Sequence, residues 1–116
     1  MNKSHTELYH ETLAKYGYEE SNTEVAALFY CLTQVTERVE TFLDTNLMSE
    51  ISGIYINPDS LTNVLSSSEI TLVSLGFHLF TGNSEYAVPE IAICRLSKPW
   101  RNVALNAIRI RCGEEL

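Results

Sequence analysis

Cations are scarce in this chain, where eight lysines and arginines stand against fifteen aspartates and glutamates for a formal net charge of −7. That balance excludes binding to nucleic acid through a broad basic surface. Cysteine is sparse and odd in number, and Cys31, Cys94 and Cys112 lie far apart, which is neither a disulfide framework nor a zinc motif. Cys31 and Cys94 sit inside apolar runs and are expected to be buried thiols acting as small hydrophobes. No stretch is apolar for long enough to span a bilayer. Met1 is not followed by a basic region and an apolar run, so no signal peptide is expected and the default location is a reducing cytoplasm. Glycine-rich phosphate loops, nucleophile elbows and paired Cys-x-x-Cys are missing too. No cofactor is expected.

What is present is the composition of a globular protein: 116 residues, 45% hydrophobic and 20% charged. Length predicts one domain over residues 1–116, and area scaling predicts that about two-thirds of the unfolded chain's surface is buried. The strongest pattern lies between Ser66 and Gly82. Ile70, Val73, Phe77 and Phe80 fall in one row along a helix, and Leu72, Leu75, Gly76 and Leu79 form a second row beside it. Only Thr71, Ser74, His78 and Thr81 remain as a narrow polar line, so a buried helix is predicted over 67–81. Ser66 and Glu69 form a capping box, and Gly82 suits the left-handed cap. A strand would break its alternation between Val73 and Ser74 and is disfavoured. Gly76 in mid-helix costs up to about 1 kcal/mol against alanine and marks a place where another helix comes close.

Other helices are predicted on either side. Ser4 and Glu7 open the first, which runs along Leu8, Tyr9, Thr12, Leu13 and Tyr16 and stops at Gly17. Ser21 and Glu24 open a long one reaching about Asp44, apolar nearly all round from Ala26 to Leu32. Between Thr45 and Leu65 the pattern weakens, with a short extended piece near 51–57 and a turn at Asn57-Pro58-Asp59. Pro89 suits the first turn of a short helix carrying Ile91 to Cys94. Ser97-Lys98-Pro99 opens a last helix in which Trp100, Val103, Ala104, Ala107 and Ile108, with Arg111 as a further candidate, share a face, and which ends at Gly113. The expected fold is all-α, a compact bundle of about five helices around the buried helix.

Charge is segregated along the chain. Eleven acidic residues and a single cation, Arg38, lie between Tyr16 and Cys94, whereas Arg95 to Cys112 holds Arg95, Lys98, Arg101, Arg109 and Arg111 and no acid. Ordinarily such runs end as solvated faces. The sharper expectation is that one surface meets a partner of opposite sign, with Glu37, Glu40, Asp44, Glu50 and Asp59 as partner-binding candidates and the five cations as a second, basic set. Glu37, Glu40 and Asp44 recur at helical spacing, and such a row of carboxylates can occupy a groove built for phosphates.

Candidate chemistry is thin. His10-Glu11-Thr12-Leu13-Ala14 starts like a zinc-protease helix but has Ala14 where the second histidine must stand. Glu7-Leu8-Tyr9-His10 is half of a bridged di-metal motif that needs two copies, so no metal site is expected and His5, Glu7 and His10 read as a solvated helix face. His78, on the polar line of a buried helix, reads as a hydrogen-bonded core histidine before it reads as a catalytic base.

Leu75-Gly76-Phe77-His78-Leu79-Phe80-Thr81-Gly82 resembles a small uncharacterised family of Firmicutes bacteria and their phages, known only as a domain of unknown function. That family's core pattern is alanine-phenylalanine-asparagine-leucine-aromatic, with Gly76 and His78 here in place of alanine and asparagine. Ala27 to Leu32 and Ser84 to Ile91 look similar as well. The resemblance implies a compact helical fold and a bacterial or mobile-element origin, hence the bacterial cytoplasm or that of a phage's host, and no site residues. The functional expectation is a non-catalytic acidic protein-binding module that inhibits a basic nucleic-acid-handling protein, DNA-mimic-like or anti-CRISPR-like, as in phage counter-defence. Its alternatives are an immunity or antitoxin-type partner, a small enzyme using His78 and a cysteine, and self-association of the basic helix with the acidic body of a second copy.

Overall fold

The computed structural model describes residues 4–35, 66–82 and 87–114. Every regular element among them is an α-helix: α1 (His5–Lys15), α2 (Thr23–Val35), α3 (Ser67–Thr81), α4 (Glu90–Cys94) and α5 (Lys98–Arg111). The fold is all-α. The second half of the long helix, the extended piece near 51–57 and the turn at 57–59 lie outside the described residues.

α2 is the most enclosed element. Val25 through Thr33 are buried without interruption, and Ala26, Ala27, Leu28, Phe29, Cys31 and Leu32 have no exposed surface. Nine consecutive buried residues cover every side of a helix with 3.6 residues per turn, so α1, α3 and α5 must surround it. Its start is capped one residue later than the sequence pattern predicts: Asn22 Oδ1 accepts from Val25 N at 3.4 Å, while Ser21 Oγ donates to Glu19 Oε2. Both residue types cap well, and Asn22 is the one whose carbonyl receives the first helical bond, from Ala26 N.

α3 begins and ends as its sequence requires. Glu69 N donates to Ser66 Oγ while Ser66 N donates back to Glu69 Oε1 at 2.9 Å, and Gly82 takes the left-handed conformation at φ 70°. Leu72, Val73, Leu75, Gly76 and Phe77 are buried, whereas Ile70, Leu79 and Phe80 are half-buried. Thr71 and Thr81 on the polar line donate their hydroxyls to the carbonyls of Ser67 and Phe77.

The seam between α2 and α3 is drawn tight at Gly76. A β-carbon placed there would stand 3.1 Å from Cys31 Cβ and 3.3 Å from Leu28 Cδ1, inside the 3.5–4.0 Å that carbon atoms prefer. Absence of a side chain is what lets the two backbones approach.

A second device turns α1 into α2. Gly17, at φ 76°, lets Tyr18 N reach the carbonyl of Leu13 while Gly17 N reaches that of Ala14, the paired bonds of a Schellman cap. The reversal places Tyr16 and Tyr18 on the same core ring, with centroids 5.4 Å and 6.3 Å from that of Phe29. Edge-on and tilted arrangements of this kind add to the area that the rings bury.

α5 packs Val103, Ala104, Ala107 and Ile110 inward, with Trp100 and Ile108 half-buried. Ser97 caps it by backbone alone, with no side-chain hydrogen bond. α4 is a five-residue turn on the outside of the bundle with no buried residue. Cys94 is consequently exposed, unlike the buried thiol its apolar neighbours imply, and Ile91 keeps 57% of its surface. The residue that seals the bundle here is Leu96, just after the turn.

Candidate functional site

The five cations of the basic segment separate into two groups. Lys98, Asn102, Leu105, Arg109 and Cys112 follow one another at steps of four, three, four and three, and all are exposed. They form one outward stripe along α5, with Leu105, 44% exposed, at its middle. Arg95 is exposed beside its start, and Arg101 leans back to donate Nη1 to the carbonyl of Cys94 at 3.3 Å.

Arg111 is half-buried and committed to the bundle. Its Nε donates to the carbonyl of Leu79 at 2.8 Å, Nη1 donates to Thr23 Oγ1 at 3.4 Å, and Nη2 stands 3.7 Å from Glu24 Oε1. One side chain thus ties the end of α3 and the start of α2 to the end of α5. The acidic candidates Glu37, Glu40, Asp44, Glu50 and Asp59 all lie outside the described residues.

Sequence reasoning passed over a groove beside the Arg111 cluster. About 850 Å³ of space opens where α1, the turn after it, the start of α2 and the end of α5 meet. Tyr9 and Tyr30 make its floor, both buried, with ring centroids 5.0 Å apart in an edge-on pair. Thr6 and His10 of α1 stand on one side, and Asn106 and Ile110 of α5 on the other. Glu20, Ser21, Thr23, Gly113 and Glu114 complete the lining. Asn106 Nδ2 donates to the Tyr30 hydroxyl at 3.3 Å, and His10 Nδ1 pairs with Glu20 Oε1 at 3.0 Å across the rim.

Burial pushes the Tyr9 phenol up to about 12, with the Glu20 carboxylate and Tyr30 adding to the shift. It stays protonated at neutral pH and presents an O–H. No single motif announces the groove, because its parts are scattered between Thr6 and Glu114. The signal that was legible is the pair of tyrosines facing inward on α1 and α2.

The histidines of α1 part company. His5 turns toward α2, where Nε2 lies 2.8 Å from the Tyr30 carbonyl and the ring meets Tyr30 edge-on. A carbonyl only accepts, so Nε2 carries the proton; desolvation lowers the pKa of this histidine, opposed in part by that hydrogen bond. His5 is therefore a tether between helices and not part of the solvated face that its spacing implies. Among the described residues, no group of three His, Cys, Asp or Glu side chains is placed to hold a metal ion. His78 is half-buried, and its carbonyl accepts from Gly82 N at 2.7 Å. The Cys31 thiol, enclosed against Gly76, is pushed up to about 12 by burial, which leaves almost none of it as the nucleophilic thiolate.

An all-α bundle with a polar groove at one end and a basic stripe along its last helix is the class these features define. The chain belongs to a family of unknown function, DUF6075, whose model matches residues 1–116. No curated protein and no solved structure matches it. No helix among the described residues is long and apolar enough to cross a membrane.

Proposed function

We propose that the protein is a non-catalytic binding module that works by stoichiometric contact with a basic protein partner, and that this partner handles nucleic acid. The observation that carries the reading is the segregation of charge, eleven acids to one cation from Tyr16 to Cys94 and five cations to no acid from Arg95 to Cys112. Carboxylates gathered in this way match a surface shaped for phosphates, and complementary fields raise the rate of encounter as well as its specificity. Glu37, Glu40, Asp44, Glu50 and Asp59 are the contacts proposed. A mobile-element inhibitor of a host defence protein is the setting that such chemistry serves best.

The test has two stages. Tagged protein is used to capture partners from a bacterial lysate, and the identified partner is then purified and titrated at low and high salt. Affinity should fall at least about tenfold between 50 and 500 mM salt, since exposed charges are screened within about 4 Å at the higher value. Lysine at positions 37, 40 and 44 together should abolish capture. Affinity indifferent to salt, or capture that survives the charge reversal, overturns the proposal.

A further inference from the structure

We infer that the groove between α1 and α5 is a binding site for an alkyl ammonium or guanidinium group, the class of ligand carried by lysine and arginine side chains and by small amines. The first observation is the Tyr9 hydroxyl. Tyr9 is only 4% exposed, its side chain makes no hydrogen bond among the described residues, and no sealed side-chain polar atom among them is left unpaired. Its oxygen must therefore open on the groove, where a ligand donor or water completes it.

The second observation is the charge of the walls. Among the described residues of the lining Glu20 and Glu114 are acidic and His10 is the one basic side chain, and His10 is already bonded to Glu20. Arg111, which touches Thr23 on the wall, has its own carboxylate in Glu24. An anion would meet uncompensated repulsion here, whereas a cation meets acceptors. Besides the two carboxylates these are the phenol oxygen of Tyr9 and the side-chain carbonyl of Asn106, whose amide hydrogen points to Tyr30. Ile110 and the tyrosine edges provide an apolar bed for a methylene stem, as long charged side chains require. A volume of about 850 Å³ exceeds the need of one such group and falls in the range of ligand clefts.

The inference goes beyond the binding-module reading and does not depend on it, because the groove is tested without any partner protein. Isotope-labelled chain is titrated with butylguanidinium and, separately, with an acetylated and amidated Gly-Arg-Gly peptide, with butylurea as the neutral isostere and inorganic phosphate as the anion. Butylguanidinium should shift the resonances of Tyr9, Tyr30 and Asn106 in a saturable manner. Tyr9→Phe, which keeps the ring in place, and Glu20→Gln, on an exposed turn, should each weaken binding about tenfold, the loss expected for one charge-assisted hydrogen bond. Peptide bound as tightly as butylguanidinium assigns the cation to an arginine side chain, and exclusion of the peptide assigns it to a small free cation. Saturation with butylurea or phosphate at the same concentration, no saturable shift with either cation, or binding unchanged in both folded variants overturns the inference.

Discussion

Gly76→Ala should destabilise the protein, against the rule that alanine improves a helix. Helix propensity alone favours the substitution by about 1 kcal/mol. Opposing it, the new methyl would sit 3.1 Å from Cys31 Cβ and 3.3 Å from Leu28 Cδ1, about half an ångström inside contact. Leu28 is fully buried and has little room to rotate away. Cys31 Cβ cannot rotate at all, since it is fixed to the backbone of α2, so relief demands that α2 and α3 separate. Overpacking of a well-packed core costs about 1–3 kcal/mol, so the net loss is about 1 kcal/mol, or roughly 4 °C in Tm for a chain of this length.

Urea denaturation followed by circular dichroism reads the change, provided the transition is two-state. The contact atom supplies a sharper control. Cys31→Ala removes the sulfur but keeps Cβ, and should not rescue Gly76→Ala; Cys31→Gly removes Cβ and should show a favourable coupling of about 1 kcal/mol. Gly76→Ala raising stability by its propensity value, or Cys31→Ala rescuing as well as Cys31→Gly, would refute the close approach as the reason for glycine here.

Other consequences are simpler to test. Gly17→Ala meets no atom within 4 Å but must hold φ near 76°, so it should cost about 1–2 kcal/mol in the same denaturation assay from backbone strain alone. In native protein, Cys94 and Cys112 should react with a chromogenic disulfide reagent at the rate of free thiols, whereas Cys31 should wait for unfolding; three thiols reacting together would contradict the fold. The lowered pKa of His5 means that the folded state binds fewer protons than the unfolded one. Its contribution is complete above the unfolded value of 6.5 and declines as pH drops through the lowered folded value. His5→Gln, which can keep the bond to the Tyr30 carbonyl without titrating, should flatten the fall in stability on the acid side of 6.5 relative to wild type. Arg111→Met leaves the Leu79 carbonyl without its donor and should cost about 1–2 kcal/mol, while Arg109→Met, on the exposed stripe, should be nearly neutral.

The bundle was legible because its signals are local and redundant. Ser66, Glu69 and Gly82 mark both ends of α3 by backbone chemistry that does not depend on what surrounds it, and Gly76 reported a neighbour by the very lack of a side chain. Where two residues compete for one local task the pattern is ambiguous, as at Ser21 and Asn22, and the carbonyl geometry decides. Apolar runs mislead when the element is too short to have an inside: Cys94 has Ile91, Ala92 and Ile93 before it, yet a single turn cannot bury all four. The groove was not legible for a different reason. Thr6, Glu20, Asn106 and Glu114 come together only after α1 and α5 have both docked on α2, and no spacing within the chain records that meeting.

Arg111 shows how the two charge regions relate. A basic helix beside an acidic body invites the view that all its cations are spent on internal pairing, yet only Arg111 makes a described ion pair, and the bond that orients it runs to the Leu79 carbonyl and not to a carboxylate. Lys98 and Arg109 point away on a stripe four turns long, where pairing would be screened and weak in any case. Among the described residues, ion pairing therefore accounts for one of the five cations from Arg95 to Cys112. An exposed face that keeps one sign of charge, interrupted by Leu105, would repel like-charged neighbours, and a composition of this kind can give specificity by repulsion as well as by attraction.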